Sequence, residues 1–374
     1  MSNRQVTSKN GFSDDVVELL SSKKLASMNA QELFVERQSQ AEKYVLKTHL
    51  FVLDAYLRGG IPPDGITEIV GASGVGKSQM CYMLSVLATL PEDAGGLGTN
   101  CSVLYLVSEN TFAPTRLIEL CSSLAPQYFC NYDRIAQALN RIVCVQISNS
   151  QQFLSALNNV DDEIISKRVK VLIVDSIAAV IQKEFDNSNL SRRQHLLNHI
   201  ASRLKIIAAS YHIPIVVTNL VIPISSGHKQ SMNHRQLSIS ALGTVWSHCV
   251  NTRIVLEYST AADFNISDNI VPALIRISTT SETQLPDEEP ECPVGSLRCL
   301  TIAKSPVSPV VSFPCVITKR GLCLLKVPEL ILSERSVTNP SIDDFVLDID
   351  PSNYWDQIIS MPPDLELTKK ENYF

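Results

Sequence analysis

The chain has 374 residues, 45% of them apolar and 19% charged, which suits one large domain with appendages and excludes a disordered or low-complexity fibre. A formal charge of −6 excludes binding to polyanions by bulk positive charge, yet ten acids and three basic residues from Pro328 onward carry that excess, leaving the remainder near neutral and free to present a local basic groove. The ten cysteines form no C-x-x-C pair, lie mostly in apolar runs, and read as reduced core thiols of an intracellular protein.

Residues 1–47 form a short polar segment and linker with no apolar leader; Ser13, Asp14 and Asp15 read as a helix cap ahead of Val16 and Leu19. Between residues 48 and 327, apolar runs of strand length alternate with amphipathic stretches of helix length, the pattern of a mostly parallel sheet covered on both faces. Strands are expected at 65–70, 103–107, 142–147, 169–174 and 213–218, and helices at 77–90, 114–124 and 192–210. The most apolar window, Ile206 to Ile224, is broken by Tyr211, His212, Pro214 and Asn219, so it reads as a buried helix-to-strand segment and not as a membrane span. Further strands at 252–258, 273–278, 297–302 and 312–318 follow without intervening helices and predict an antiparallel extension of the sheet edge. Gln182 to Leu190 and Ile222 to Ala241 fit no regular element; long irregular loops in a compact α/β domain usually serve function or are disordered. Residues 328–374 read as a flexible acidic tail.

Chemistry concentrates at three strand ends. Gly71-Ala72-Ser73-Gly74-Val75-Gly76-Lys77-Ser78 follows one predicted strand, opens one predicted helix, and satisfies G-x-x-x-x-G-K-[ST]. Glycines let the backbone N–H groups curl around phosphate oxygens while the new helix offers its positive end to the same anion. Lys77 supplies a mobile charge for the β and γ phosphates, and the Ser78 hydroxyl suits Mg²⁺. The bland alternative is a glycine turn that binds nothing. Asp175 ends the apolar run Val171 to Val174, where a carboxylate suits the metal's water shell; a strand-ending turn acid is the alternative. Glu109 ends the run Val103 to Val107. By itself it is an ordinary loop acid.

These motifs, with Leu57 to Pro62, Gly65 to Glu68, Ser108 to Phe112 and Thr218 to Val221, occur in the order and spacing of the RecA/RadA recombinase core, which residues 48–327 resemble. Within that family the chain resembles the eukaryotic recombinase paralogues, and in particular the subfamily numbered third in the X-ray-repair cross-complementing series, through Val52 to Gly60, Asp64 to Glu68, Glu184 to Asp186 and Ala241 to Trp246. The resemblance implies an α/β RecA-like P-loop NTPase core, with Gly71 to Ser78 binding ATP and Mg²⁺. It implies that Glu109 activates water, Arg116 packs on adenine and Asp175 supports the metal. It further implies that Gln182 to Leu190 and Ile222 to Ala241 face single-stranded or branched DNA, with Lys183, Arg192, Arg193, Lys229 and Arg235 near phosphates; Arg192 and Arg193 read equally well as solvated helix residues. A nuclear protein of homologous-recombination repair follows from the likeness, partnered by another recombinase paralogue and, beyond it, by the main strand-exchange recombinase.

Two departures from the family pattern carry expectations. Leu220 stands where strand-exchange recombinases have a glutamine, and a leucine neither donates nor accepts a hydrogen bond; weak coupling between ATP and DNA is expected. Lys304-Ser305-Pro306 replaces Asp-Ser-Pro, so Lys304 reads either as a cation for a neighbouring subunit's phosphate or as a solvated strand-end lysine.

Overall fold

A computed structural model describes residues 29–31, 44–108, 112–185, 190–222, 239–240, 242–264 and 297–325. Glu109, Lys229, Arg235, the expected strand at 273–278, the cap at 13–15 and the acidic tail lie outside the described residues.

Five parallel strands form the heart of the sheet: β1 (Ile66–Gly71), β2 (Ser102–Val107), β3 (Ile142–Gln146), β4 (Val169–Asp175) and β5 (Ile215–Ile222). A short β6 (Ile239–Ser240) pairs antiparallel with β5, and β7 (Thr252–Tyr258), β8 (Arg298–Lys304), β9 (Val311–Thr318) and β10 (Gly321–Leu324) complete the described sheet. Its order is β10-β9-β8-β7-β1-β5-β4-β2-β3. β1, β2 and the middle of β4 are buried on both faces, which is why they read as unbroken apolar runs.

Helices cover both faces. α1 (Phe51–Tyr56), α2 (Lys77–Ala88), α3 (Pro114–Leu124) and α4 (Tyr132–Asn140) lie on one. Here Leu53, Met80, Met83 and Leu84 pack against Tyr105, Ile173, Val216 and Ile254. α5 (Ser150–Asn158), α6 (Val160–Lys167), α7 (Ile177–Glu184), α8 (Leu190–Tyr211) and α9 (Gly243–Cys249) cover the other, where Phe153, Leu197, Leu204 and Trp246 meet Leu104, Leu172 and Val217. Local chemistry sets the helix starts. Pro114 opens α3 after an extended Ala113. Asn131, Asn149 and Ser176 cap α4, α5 and α7 by accepting from Arg134 N, Gln152 N and Ala179 N at 3.0, 2.8 and 3.1 Å.

The strand pattern expected for the core is present, with two corrections. β7 is not part of the antiparallel extension alone: it pairs parallel with β1 and antiparallel with β8, so the change of direction falls between β7 and β8. Gln182 to Glu184 continue α7 and Leu190 opens α8, so the irregular stretch is shorter than its composition indicates. The described cysteines are free thiols, but Cys130 and Cys144 are exposed, not core groups. Cys144 sits on β3, whose burial alternates because it is the last strand on its side of the described sheet. Among the described residues no helix is long and apolar enough to cross a membrane.

Candidate nucleotide site

The phosphate loop joins β1 to α2 at the carboxyl edge of the sheet, where ligands of open α/β folds gather. Gly74 and Gly76 have φ of 78° and 118°, a region that side chains other than glycine's rarely adopt. A Cβ on Gly71 would stand 2.4 Å from the Leu256 carbonyl oxygen and 2.7 Å from Val75 Cγ1, so close strand packing demands glycine there. Ser73 and Gly74 are exposed, Ala72 and Ser78 half-buried, and Val75 buried. The Lys77 ammonium is turned back onto the loop, donating to the Gly71 and Ala72 carbonyls at 3.0 and 2.7 Å. α2 has neither a side-chain cap nor an acid in its first turn, so its N–H groups and positive end face the loop uncompensated by a side chain.

One support of this loop has no signal in the sequence. Arg298, on β8, donates from Nε to the Val75 carbonyl at 2.8 Å and lays its guanidinium over the Tyr258 ring, 5.4 Å from the centroid. Neither residue belongs to a motif; only the return of β8 beside β7 brings them to the loop.

Asp175, at the tip of β4, faces the α2 side. Its Oδ2 accepts from the Tyr105 hydroxyl at 2.8 Å and its Oδ1 from Thr218 Oγ1 at 2.6 Å. Both partners are neutral, so the carboxylate is oriented but its charge is not cancelled. Burial, followed by nearby Cys81 and Asp175, pushes the Tyr105 phenol well up, so it stays a protonated donor. The tips of β2 and β4 are latched together: Ser108 N donates to Asp175 O at 2.9 Å, Ser108 Oγ to Ser176 O at 2.8 Å, and Ser176 N to Ser108 Oγ at 2.7 Å. The peptide between Asp175 and Ser176 is cis. Ser108 thus anchors the chain just past β2 to the end of β4. Beyond, Phe112 meets Tyr105 and Tyr82 edge-on, with centroids 5.2 and 5.5 Å apart.

Arg116, on α3, is held by several partners. Its Nε donates to Gln79 Oε1 at 2.7 Å, its Nη2 to the Thr318 carbonyl at 2.6 Å and its Nη1 to the Lys319 carbonyl at 3.1 Å, with Glu119 as ion-pair partner. These bonds tie α2, α3 and the β9–β10 turn, and hold the guanidinium plane fixed on the phosphate-loop side of the sheet.

The structure does not bring every predicted group to this edge. Arg192 is exposed and Arg193 half-buried in the first turn of α8, and Lys183 lies on α7. Leu220 is half-buried and packs against the core on the α8–α9 face, as an apolar side chain should. The Lys304 ammonium donates to the Ser247 and Val250 carbonyls at 2.9 and 2.6 Å. It therefore caps the carboxyl end of α9, and fits neither a freely solvated lysine nor an uncommitted cation.

An adenine nucleotide with Mg²⁺ fits the residues present: a glycine, Gly71, where a Cβ would strike backbone, two loop glycines at positive φ, a helix start without side-chain compensation, a lysine within reach, and a carboxylate held by neutral donors. Gly71 to Ser78 would hold the phosphates, with Ser78 and Asp175 on the metal.

The chain is similar in sequence to known proteins. RAD51 homolog 2 of Mus musculus is 38% identical over 248 residues, covering 61% of this chain and 70% of its own length. RAD51 homolog 2 of Homo sapiens is 33% identical over 308 residues, covering 77% and 71%. The XRCC3 homolog of Arabidopsis thaliana is 31% identical over 303 residues, covering 75% and 93%. The likeness thus spans more than one kind of paralogue and does not single out the third X-ray-repair cross-complementing type. Residues 40–266 match the Rad51 family profile, and with the RecA-like sheet and phosphate loop in place the chain belongs to the Rad51 family.

Proposed function

We propose that this chain binds ATP with Mg²⁺ at the loop Gly71 to Ser78, hydrolyses it weakly, and acts in homologous-recombination repair as a recombinase paralogue within a hetero-oligomer. The observation that carries this reading is the convergence of Lys77, Ser78 and Asp175 at one sheet edge, with Asp175 oriented by two neutral hydroxyls. The bound nucleotide supplies a phosphoanhydride whose cleavage is electrostatically assisted. Lys77 exchanges its hold on the Gly71 and Ala72 carbonyls for phosphate oxygens. Asp175 keeps its charge for the metal's shell, Arg116 offers its guanidinium to the base, and Glu109 takes a proton from the attacking water.

Assignment to DNA repair is supported by the relatives, each of them described as a DNA repair protein. The partners are another recombinase paralogue and the main strand-exchange recombinase. The substrate is single-stranded or branched DNA, met by Lys183, Arg192, Arg193, Lys229 and Arg235, and the compartment is the nucleus. A second reading, an adaptor that uses ATP only to stiffen subunit interfaces, is favoured by Leu220, whose apolar side chain packs on the core and cannot hydrogen-bond to report the γ-phosphate. Steady-state hydrolysis separates the two. The first expects turnover that Lys77→Ala and Glu109→Gln abolish; the second expects binding without turnover in the unaltered chain.

A further inference from the structure

Glu68 lies fully buried in β1, upstream of the phosphate loop, and has no part in the site described above. Its Oε1 accepts from Asn219 Nδ2 at 2.7 Å and from Trp246 Nε1 at 2.8 Å, and its Oε2 from Arg253 Nε at 2.6 Å. Each contact leads outward. Asn219 Oδ1 accepts from the Leu220 N–H at 2.7 Å. Arg253 Nη2 donates to Ser247 Oγ at 3.0 Å, and Ser247 is the residue whose carbonyl Lys304 holds. One carboxylate thus fastens the strand that carries the loop to β5, to β7, to α9 and, through α9, to β8.

The far end of the same strand is bonded to the phosphate loop. Gly71 stands opposite Leu220 of β5 on one side and Leu256 of β7 on the other. Its carbonyl and that of Ala72 accept from the Lys77 ammonium. The two carbonyls hold two of the three ammonium protons, so a lysine swung onto phosphate oxygens gives up at least one of these bonds. Filling the loop therefore changes the hydrogen bonding at the end of β1, between the two strands that Glu68 also ties.

We propose that Glu68 is a positioning residue that passes the state of the phosphate loop to α9 through Asn219 and Trp246, so that nucleotide changes the seating of α9. This rests on the nucleotide reading above. A purely structural ion pair would instead hold α9 identically in both states. Coupling requires two arrangements that the ligand distinguishes.

Trp246 and Trp355 are the two tryptophans of the chain, so in the full chain carrying Trp355→Phe the emission reports Trp246 alone. Mg²⁺ with a non-hydrolysable ATP analogue is added at saturation, and binding is measured separately by dialysis. The expected result is a change in Trp246 emission that Glu68→Gln removes, with nucleotide affinity kept within about twofold. Should Glu68→Gln fail to fold, Asn219→Ala takes its place: it removes one donor, leaves the Glu68–Arg253 pair, and is expected to lose the same signal. The proposal is overturned if nucleotide binds while Trp246 emission stays constant, or if the folded variant keeps the full change. A chain that binds no nucleotide in dialysis overturns the site reading and this proposal with it, a result distinct from binding with a silent Trp246.

Discussion

The two faces of the central sheet treat carboxylates in opposite ways. On the α8–α9 face Glu68 is sealed from solvent and paired with a guanidinium, an indole N–H and an amide. On the α2 face, at the strand tips, the Asp175 carboxylate is met among the described residues by two hydroxyls. A charge that must hold structure is neutralised where it stands; one that must attract a metal is oriented by neutral donors and left uncancelled. Asp175 ends an apolar strand run and Glu68 sits inside one, and the distinction lies in what the neighbouring elements bring to them.

The largest effect expected from this contrast is at Glu68. Glu68→Ala strands the Arg253 guanidinium and is expected to cost about 3–5 kcal/mol in chemical denaturation, whereas exchanging Glu68 and Arg253 together for methionine recovers most of that loss. Asp175→Ala removes only hydroxyl contacts and is expected to cost no more than about 1–3 kcal/mol. Equal losses at the two positions would erase the distinction between the faces.

Next in size is Asp54, a second buried acid, which belongs to neither group. Thr48 N donates to its two oxygens at 2.9 and 3.1 Å and Thr48 Oγ1 to Oδ1 at 2.7 Å, yet burial dominates these contacts and raises the carboxyl from its ordinary 3.8 to about 7. The folded state therefore holds a proton that the unfolded chain releases. Asp54 contributes its stability fully below the unfolded value, and that contribution is lost as pH rises through the window from about 4 to 7, at roughly 1.4 kcal/mol per pH unit. Denaturation of the unaltered chain and of Asp54→Asn across that window should show the difference shrinking with that sign; a difference independent of pH would contradict it.

Smaller effects sharpen the same contrast. Leu220→Gln puts an amide into a half-buried apolar contact and is expected to cost about 1–3 kcal/mol, and to increase DNA stimulation of hydrolysis over that of the parent chain. Strong DNA stimulation in the unaltered chain alone would contradict the reading of Leu220. Tyr105→Phe removes one donor from Asp175 and is expected to cost about 1 kcal/mol, with a raised Mg²⁺ requirement for nucleotide binding and no change in Trp246 emission.

Motifs that act through contiguous residues were legible in the sequence. The phosphate loop, Asp175 at a strand end, and α3 beginning at Pro114 follow from local pattern, because turn geometry and strand burial are local properties. Pairing direction is not local. The run 252–258 could be seen as a strand, but its parallel place beside β1 depends on where the chain returns after α9. The same holds for Arg298, which reaches the loop from β8, and for Lys304, whose capping of α9 depends on the register of β8 against β7. The short helices α4 to α6 escaped notice, since their asparagine caps and brief apolar stripes resemble loop composition until packing is known. Glu68 stood in a recognised motif, yet its three partners come from positions 219, 246 and 253.

Binding of radiolabelled ATP to the full chain with Mg²⁺, measured by equilibrium dialysis beside Lys77→Ala, tests the site most directly. Saturable binding that falls at least about tenfold in the variant is the predicted result; no binding, or equal binding by both chains, would contradict it.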